Sequence, residues 1–342
     1  MFSTICIEDE IREHPRTLEI LQRFPRADIV SCKRYGEVFN RKAQNFRLQK
    51  KKPALILAKK HHGFVLPTPA DYGIGAIHNY YFSHMLNCIY DCRYCFLQGM
   101  YRSAHYVLFV NHEDFGFEIE EKIRKHAGEA VHFFSGYDCD SLALEPVTGF
   151  VKSTLPLFQK HPEALLELRT KSTQIRALLS MPPLDNCVIA FSFTPEKIAA
   201  ALEHNTPKIE RRIEAMLQLQ KAGWQIGLRF DPLIYEENFQ ENYQQLFDSI
   251  FSELDISWLH SVSLGNFRLP RDFFKSMLRL YPEERLFTSP LEEKAGMISY
   301  KQNLSDQLLQ FCSHAILSYI PEHLFFPCEP IPSGPTKFEL TA

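Results

Sequence analysis

The sequence predicts an α/β protein: a partial (β/α)6 TIM-like barrel with small N-terminal and C-terminal additions. Three observations lead there. From about residue 75, six short β-rich runs alternate with helical patterns. Such alternation implies parallel strands joined by right-handed crossovers. The length, 342 residues, exceeds a typical single domain but suits one α/β barrel with additions. A doubly wound sheet is the other arrangement the alternation allows.

The six runs are residues 76–82, 130–134, 164–168, 187–193, 225–230 and 258–264, each rich in β-branched or aromatic side chains. Helical apolar spacing falls between them at 117–125, 152–159, 173–179, 208–221 and 241–253. Three regions follow from this: an N-terminal α/β extension (1–70), the barrel (71–290), and a C-terminal helix with an extended tail (291–342). In the extension, 16–24 has helical spacing and 27–31 reads as a short strand. The basic stretch 41–60 (with QKKK and AKK) is either a solvated face or a phosphate-contacting surface. Helical patterns recur at 272–280 and 304–319, and the tail FFPCEPIPSGPTKFELTA is proline-rich.

Hydrophobic residues make up 45% of the chain and charged residues 23%, enough apolar material for a packed core. The net charge of −3 excludes an all-over basic coat, although a local basic groove stays open. The start, MFSTICIEDEIREHP, lacks the basic region and apolar core of a signal peptide. No run reaches the ~20 apolar residues of a membrane span. The expected compartment is the cytoplasm, with no membrane partner. Nine cysteines, an odd number in a long chain, do not suggest a disulfide framework.

Six of those cysteines are scattered and read as small buried hydrophobes. The other three, Cys88, Cys92 and Cys95, have C-x3-C-x2-C spacing just past the first barrel run, hence in the first βα loop. Structural zinc and ferredoxin clusters normally take four protein ligands. His84 and His105 are the candidate fourth ligands, and neither completes a zinc-finger spacing. Three thiolates on four irons leave one iron open to chelate the amino and carboxylate groups of S-adenosylmethionine (SAM). The spacing therefore favours a 4Fe–4S cluster; zinc and a coincidental trio are the alternatives.

The segment CIYDCRYCFLQ (88–98) resembles the spore photoproduct lyase family of radical SAM enzymes. The likeness continues through YVLFVNHEDF (106–115), DSLALEPVTGF (140–150), LELRTKS (166–172), VIAFSFTPEKI (188–198), 221–247 and 267–286. The resemblance implies a 4Fe–4S cluster on Cys88, Cys92 and Cys95, and SAM beside it. It implies reductive SAM cleavage to a 5′-deoxyadenosyl radical, used to revert a thymine-dimer-type lesion. The implied partners are DNA carrying a UV photoproduct and an electron donor such as flavodoxin or ferredoxin.

Carried over by position, Tyr94 would pack near the adenine, Lys171 would reach the SAM carboxylate or ribose, and Ser192 would help hold SAM. The backbone of Ser135 and Gly136 would meet the SAM amino group. Each also has a bland reading: a packed aromatic, a solvated lysine, a satisfied strand end, a simple turn. The sequence departs from the family where a tyrosine is expected after the third cysteine (Phe96), at the cysteine expected to return hydrogen (Tyr137), and at an expected asparagine (Thr194). Cys139, two residues from Tyr137, is the candidate donor if the loop shifts.

Arg229 either pairs with Asp231 or faces the barrel mouth and contacts SAM or a substrate phosphate. Arg268 and Arg271, interleaved with Phe267 and Phe273, are either a mixed helix start or a nucleic-acid contact. Two further functions remain open: a different radical SAM reaction on RNA or a small molecule, and a non-catalytic iron–sulfur or zinc-binding protein.

Overall fold

The computed structural model describes residues 2–69 and 72–329. The chain starts with strand β1 (Thr4–Glu8), the helix Pro15–Gln22, β2 (Asp28–Cys32) and β3 (Leu55–Ala58). β1 lies between β2 and β3, parallel to both. β4 (Leu66–Pro67) then forms an antiparallel pair with β5 (His78–Phe82), the first barrel strand.

After β5 the chain leaves the barrel. It runs through β6 (Met85–Leu86), the cysteine loop with the two-residue β7 (Asp91–Cys92), a helical turn Leu97–Met100 and β8 (Tyr106–Phe109). β6 and β8 join the first sheet, whose order is β2-β1-β3-β8-β6. A boundary at residue 70 therefore does not separate the two sheets. The cause is Val107–Val110, apolar at every position and fully buried, which needs cover on both faces.

From the helix His112–Lys125 onward, strands and helices alternate as the sequence predicts. The strands are β9 (Val131–Ser135), β10 (Ala164–Thr170) and β11 (Cys187–Ser192). The short β12 (Glu203–His204) follows, and then β13 (Gln225–Leu233) and β14 (Leu259–Asn266). β5, β9, β10, β11, β13 and β14 are parallel neighbours in that order. The helices Phe150–Lys160, Ile209–Lys221 and Phe239–Phe251 bury one apolar stripe each; in the last it is Phe239, Tyr243, Leu246, Phe247 and Ile250. Only Arg176–Leu179 is helical between β10 and β11, shorter than expected.

The C-terminal region holds a sheet the sequence pattern did not signal. β15 (Arg268–Pro270), β16 (Leu291–Lys294) and β17 (Met297–Tyr300) pair antiparallel, with β17 central. The helix Arg271–Leu280 packs on the turn Leu97–Met100 so closely that a Cβ on Gly99 would sit 2.3 Å from the Phe273 carbonyl oxygen. The helix Gln302–Leu317 covers β14. The tail then runs beside β14: Phe326 and Cys328 donate their N–H groups to the carbonyls of Val262 and Leu264 at 2.8 Å. The Phe326 ring also lies 3.5 Å from the Cβ position of Gly75, ahead of β5, so the tail crosses the gap between the last barrel strand and the first. The rest of the proline-rich tail lies outside the described residues. Among the described residues no helix is long and apolar enough to cross a membrane.

Inside the barrel lies one buried ion pair. Arg229 donates to both carboxylate oxygens of Glu167 (3.2 and 2.6 Å), to the Ser261 carbonyl (3.0 Å) and to the Ser261 hydroxyl (2.9 Å). Gly227 leaves the room: a Cβ there would meet Arg229 Nη2 at 2.9 Å. Burial alone would raise the Glu167 carboxyl, but the Arg229 guanidinium overrides it and holds the group below its ordinary 4.5. Because the folded value is depressed, the pair's contribution is complete above the unfolded value near 4.5 and is lost as pH falls through the lower folded value. Arg229→Met should lower stability by about 3–5 kcal/mol by stranding a buried carboxylate. Adding Glu167→Leu should recover most of that loss. Urea-unfolding midpoints at neutral pH check both, and a single variant as stable as the parent would contradict the account.

Candidate active site

The C-terminal ends of β5 and β9 stand level, Ser135 pairing with Phe82 on one side and Leu168 on the other, and β10, β11 and β13 extend further, Ser192 pairing with Arg229. Above these ends lies a cavity of about 520 Å³. Cys88, Cys92 and Cys95 line it, as do Tyr94, Ser135, Gly136, Cys139, Lys171 and Ser192. Nine of the ten residues singled out from the sequence thus meet in one place.

Arg229 is the exception, and its reading is corrected. It is neither paired with Asp231 nor at the mouth, since Glu167 and Ser261 engage its guanidinium inside the barrel. The arginine at the mouth is Arg169, two residues along from Glu167 on β10. It donates to the Tyr72 hydroxyl at 2.7 Å and lies 3.6 Å from Asp231.

The cysteine loop is pinned from three directions. β7 pairs antiparallel with β12, setting Cys92 opposite Glu203, and Arg93 N–H donates to the Leu202 carbonyl at 2.8 Å. Lys50 bonds Asp91 and donates to Gln98 Oε1 at 2.7 Å, so the basic stretch docks this loop through one lysine. Arg93 stacks 3.8 Å over the Tyr281 ring. Asn87 turns the chain with φ of 68° and donates to the Ser103 and His105 carbonyls at 2.8 and 2.7 Å. The turn is left-handed, where asparagine is tolerated better than most residues.

Behind the loop sits a buried charge cluster. Glu203 accepts from the Tyr94 hydroxyl and from Arg212 Nη2, and from Thr194 Oγ1 at 3.0 Å; Lys171 Nζ lies 4.0 Å away. Arg212 also donates to the carbonyls of Ser192 (3.2 Å) and Pro207 (2.9 Å). Burial pushes the Glu203 carboxyl up, but the Lys171 and Arg212 charges prevail and hold it below the ordinary value. Thr194, the departure from the expected asparagine, thus has a defined partner.

The loop after β9 is set by Asp140. Its carboxylate accepts from the N–H groups of Leu142 (3.0 Å), Ala143 (2.9 Å) and Lys171 (2.7 Å), and from Thr170 Oγ1 (2.7 Å). Gly136 has φ of 82°, and a Cβ there would strike Ser141 Oγ at 2.6 Å, so the cavity meets bare backbone at this point. Cys139 is 8% exposed; it lines the cavity yet packs in the apolar cluster of the first sheet with Met85 and Leu57. Tyr137 lies over Phe96, with ring centroids 5.4 Å apart, and beside Tyr81 at 4.4 Å. Two of the three departures from the family pattern, Phe96 and Tyr137, are therefore neighbours.

Cys328, read from sequence as a buried hydrophobe, is a further thiol in the cavity, 3.9 Å from Asp231 Oδ2. No local pattern could reveal this, because the tail brings it there. Arg268 lines the same wall and bonds Glu329, while Arg271 pairs with Glu293 at 3.2 Å and Phe267 is buried.

The residues fit an iron–sulfur cluster better than a single ion. Tetrahedral zinc would bring its thiolates to about 3.8 Å from one another. The described residue groups whose ligand atoms all lie within 4.8 Å of one another do not include the cysteine trio. A cluster binds each thiolate through a different iron and spreads them. Neither candidate fourth zinc ligand lines the cavity: His105 accepts from Ala54 N–H through Nδ1 at 3.0 Å, and His84 stacks on Phe150. The cavity volume falls in the range of small-molecule sites.

Comparison with known proteins places this architecture. The family described as spore photoproduct lyase matches residues 76–302. The spore photoproduct lyase of Bacillus subtilis (strain 168) is 23% identical over 202 residues, covering 58% of this chain and 59% of that protein. A solved cysteine-to-serine variant of spore photoproduct lyase superposes with a TM-score of 0.82 at 17% identity, covering 96% of this chain and 98% of that one. A cysteine-to-alanine, serine-to-cysteine variant with bound AdoMet and dinucleoside spore photoproduct gives 0.82 at 18% identity, with the same coverage. The family match spans most of the barrel, and this chain belongs to the spore photoproduct lyase family.

Proposed function

We propose that this chain is a radical SAM lyase that acts on a thymine-dimer-type lesion in DNA. Cys88, Cys92 and Cys95 would hold a 4Fe–4S cluster. The observation that carries the reading is the single cavity where that trio meets Ser135, Gly136, Lys171 and Ser192 at the strand ends of a family member. When bound, the cluster and SAM supply one-electron cleavage of a carbon–sulfur bond, and hence hydrogen abstraction from the substrate.

This chain's residues position and shield. Lys171, whose Nζ lies 5.6 Å from the centre of the Tyr94 ring, would bring positive charge to the SAM carboxylate. The Tyr94 hydroxyl is taken by Glu203, which leaves the ring to pack against adenine. Bare backbone at Gly136 meets the SAM amino group, and Ser192 closes the side nearest β13. Arg169 and Arg268, on the wall next to the tail, face the lesion's phosphate. Cys139 would give its thiol hydrogen atom to the product radical, its own S–H bond breaking to leave a thiyl radical; Cys328, the other non-ligand thiol lining the cavity among the described residues, is the alternative donor. A flavodoxin or ferredoxin in the cytoplasm supplies the electron.

Glu203→Ala should leave Arg212 and Lys171 without their shared anion and loosen the cysteine loop. After anaerobic reconstitution, the variant should hold less than half the parent's iron and labile sulfide while its far-ultraviolet circular dichroism is retained. A full complement of iron would contradict the anchoring role.

With SAM and a reductant, the reconstituted parent should form 5′-deoxyadenosine, and Cys88→Ala should lose this by roughly a hundredfold or more. With ultraviolet-irradiated DNA, thymine dimers should disappear. SAM cleavage without dimer loss would reject the DNA substrate in favour of another radical reaction.

In the same assay, Cys139→Ala should keep consuming SAM while repaired thymine falls. An unchanged yield from Cys139→Ala, with a loss from Cys328→Ala, would transfer the role to the tail.

A further inference from the structure

A second cavity, of about 310 Å³, opens between the helices His112–Lys125 and Phe150–Lys160 and the end of β5. The radical chemistry uses none of its residues, and its lining is distinct from that of the cysteine cavity.

Two buried histidines line it, and each keeps one ring nitrogen without a hydrogen-bond partner. His84 is 1% exposed and stacks on Phe150 with ring centroids 3.9 Å apart, and its Nδ1 has no partner. His112 is 8% exposed; its Nδ1 lies 2.7 Å from Ser153 Oγ, and its Nε2 has no partner. A buried polar atom left unpaired costs about 1–3 kcal/mol, and two such atoms belong to residues that line this one cavity.

The charge of the site is positive. Arg16 donates through Nε to the Val110 carbonyl at 3.0 Å, and no other hydrogen bond of its side chain exists among the described residues. Its charge reaches both imidazoles. Burial first, and Arg16 second, push His84 down to about 3 and His112 well below 6.5, so both are neutral. Lys160 adds a second cation at the edge. The carboxylate in the lining is Glu113, which is 61% exposed and bonded to His14 at 3.1 Å. Glu145 and Glu19 act on Arg16 from outside the lining, and Glu145 is already bonded to Val151 N–H. Phe115, Ile119 and Leu157 contribute an apolar part of the lining.

We propose that this cavity binds a small organic carboxylate with an apolar body: the carboxylate on Arg16, beside the two imidazoles, and the body against Phe115, Ile119 and Leu157. A bare anion would leave the wall wet, and a neutral apolar molecule would leave the Arg16 charge unpaired.

The probe is benzoate, titrated by calorimetry into the full cluster-loaded chain, with the histidine side-chain ¹⁵N shifts followed in parallel. Benzoate should bind saturably and move the His84 and His112 signals. Acetate, which has the charge without the body, and benzyl alcohol, which has the body without the charge, should each bind at least roughly tenfold more weakly. Arg16→Met should weaken benzoate by at least about the same factor. Gly116→Leu should abolish binding, because a Cβ at this helix position already points at Leu157, 3.8 Å away, and a longer side chain fills the void. This second variant keeps the test alive if Arg16→Met fails to fold. Absence of saturable heat and of histidine shifts at millimolar benzoate would show a water-filled cavity and overturn the proposal. So would acetate or benzyl alcohol matching benzoate, or undiminished binding by Gly116→Leu.

Discussion

The carboxylate of Glu203 is the interaction on which the rest of the site depends. It lies fully buried between the Arg212 guanidinium and the Tyr94 hydroxyl, within 4.0 Å of Lys171, on the two-residue strand that pairs with Cys92. A buried charge is tolerated only when its partners satisfy it completely, and the geometry that does so is narrow. Here the requirement fixes several things together. It orients the aromatic beside the cysteines, places the lysine after β10, and ties the Ser192 carbonyl to the same guanidinium. Asp140 does similar work one strand over, joining the loop after β9 to the start of the loop after β10. Between them, two carboxylates align three strand ends with the cysteine loop.

Much of this was legible in the sequence because two signals are local. Parallel barrel strands, buried on both faces, read as short apolar runs between helical patterns, and all six stand where those runs are. The cysteine spacing needs no tertiary information. What escaped depends on partners distant in sequence. Nothing local says that Tyr106–Phe109 leaves the barrel for the first sheet. Arg169 and Arg229 each look like an arginine inside a strand. Their roles differ because Gly227 makes room for the second beside Glu167 while the first stands higher at the rim. The C-terminal sheet had a faint signal: Ala295 and Gly296, both with positive φ, form the two-residue turn between β16 and β17. Its strands carry Glu and Lys and hide among surface residues.

The departures from the family pattern acquire a common meaning in space. Phe96 and Tyr137 stand far apart in sequence, yet their rings are in contact, with Tyr81 on the other side of Tyr137. An aromatic at 137 is bulkier than the expected cysteine, and a phenylalanine at 96 offers it an apolar face without a competing hydroxyl. The two positions form one packing unit. The thiols that remain are held in dissimilar settings: Cys139 among the aliphatics of the first sheet, Cys328 beside Asp231.

The tail strand beside β14 also bears on how the molecule assembles. The cavity wall combines Tyr72, Arg169, Asp231 and Cys328, so its last component follows the cysteine loop by more than two hundred residues of chain. Contacts between segments so distant in sequence form late, because closing long loops costs entropy before any contact rewards it. During synthesis, the three cysteines leave the ribosome long before the segment that shuts the barrel. Until that segment follows, the part of the wall it supplies, Cys328 included, is missing from the cavity. Phe326, lying across the seam, makes the order of assembly part of how the site is protected.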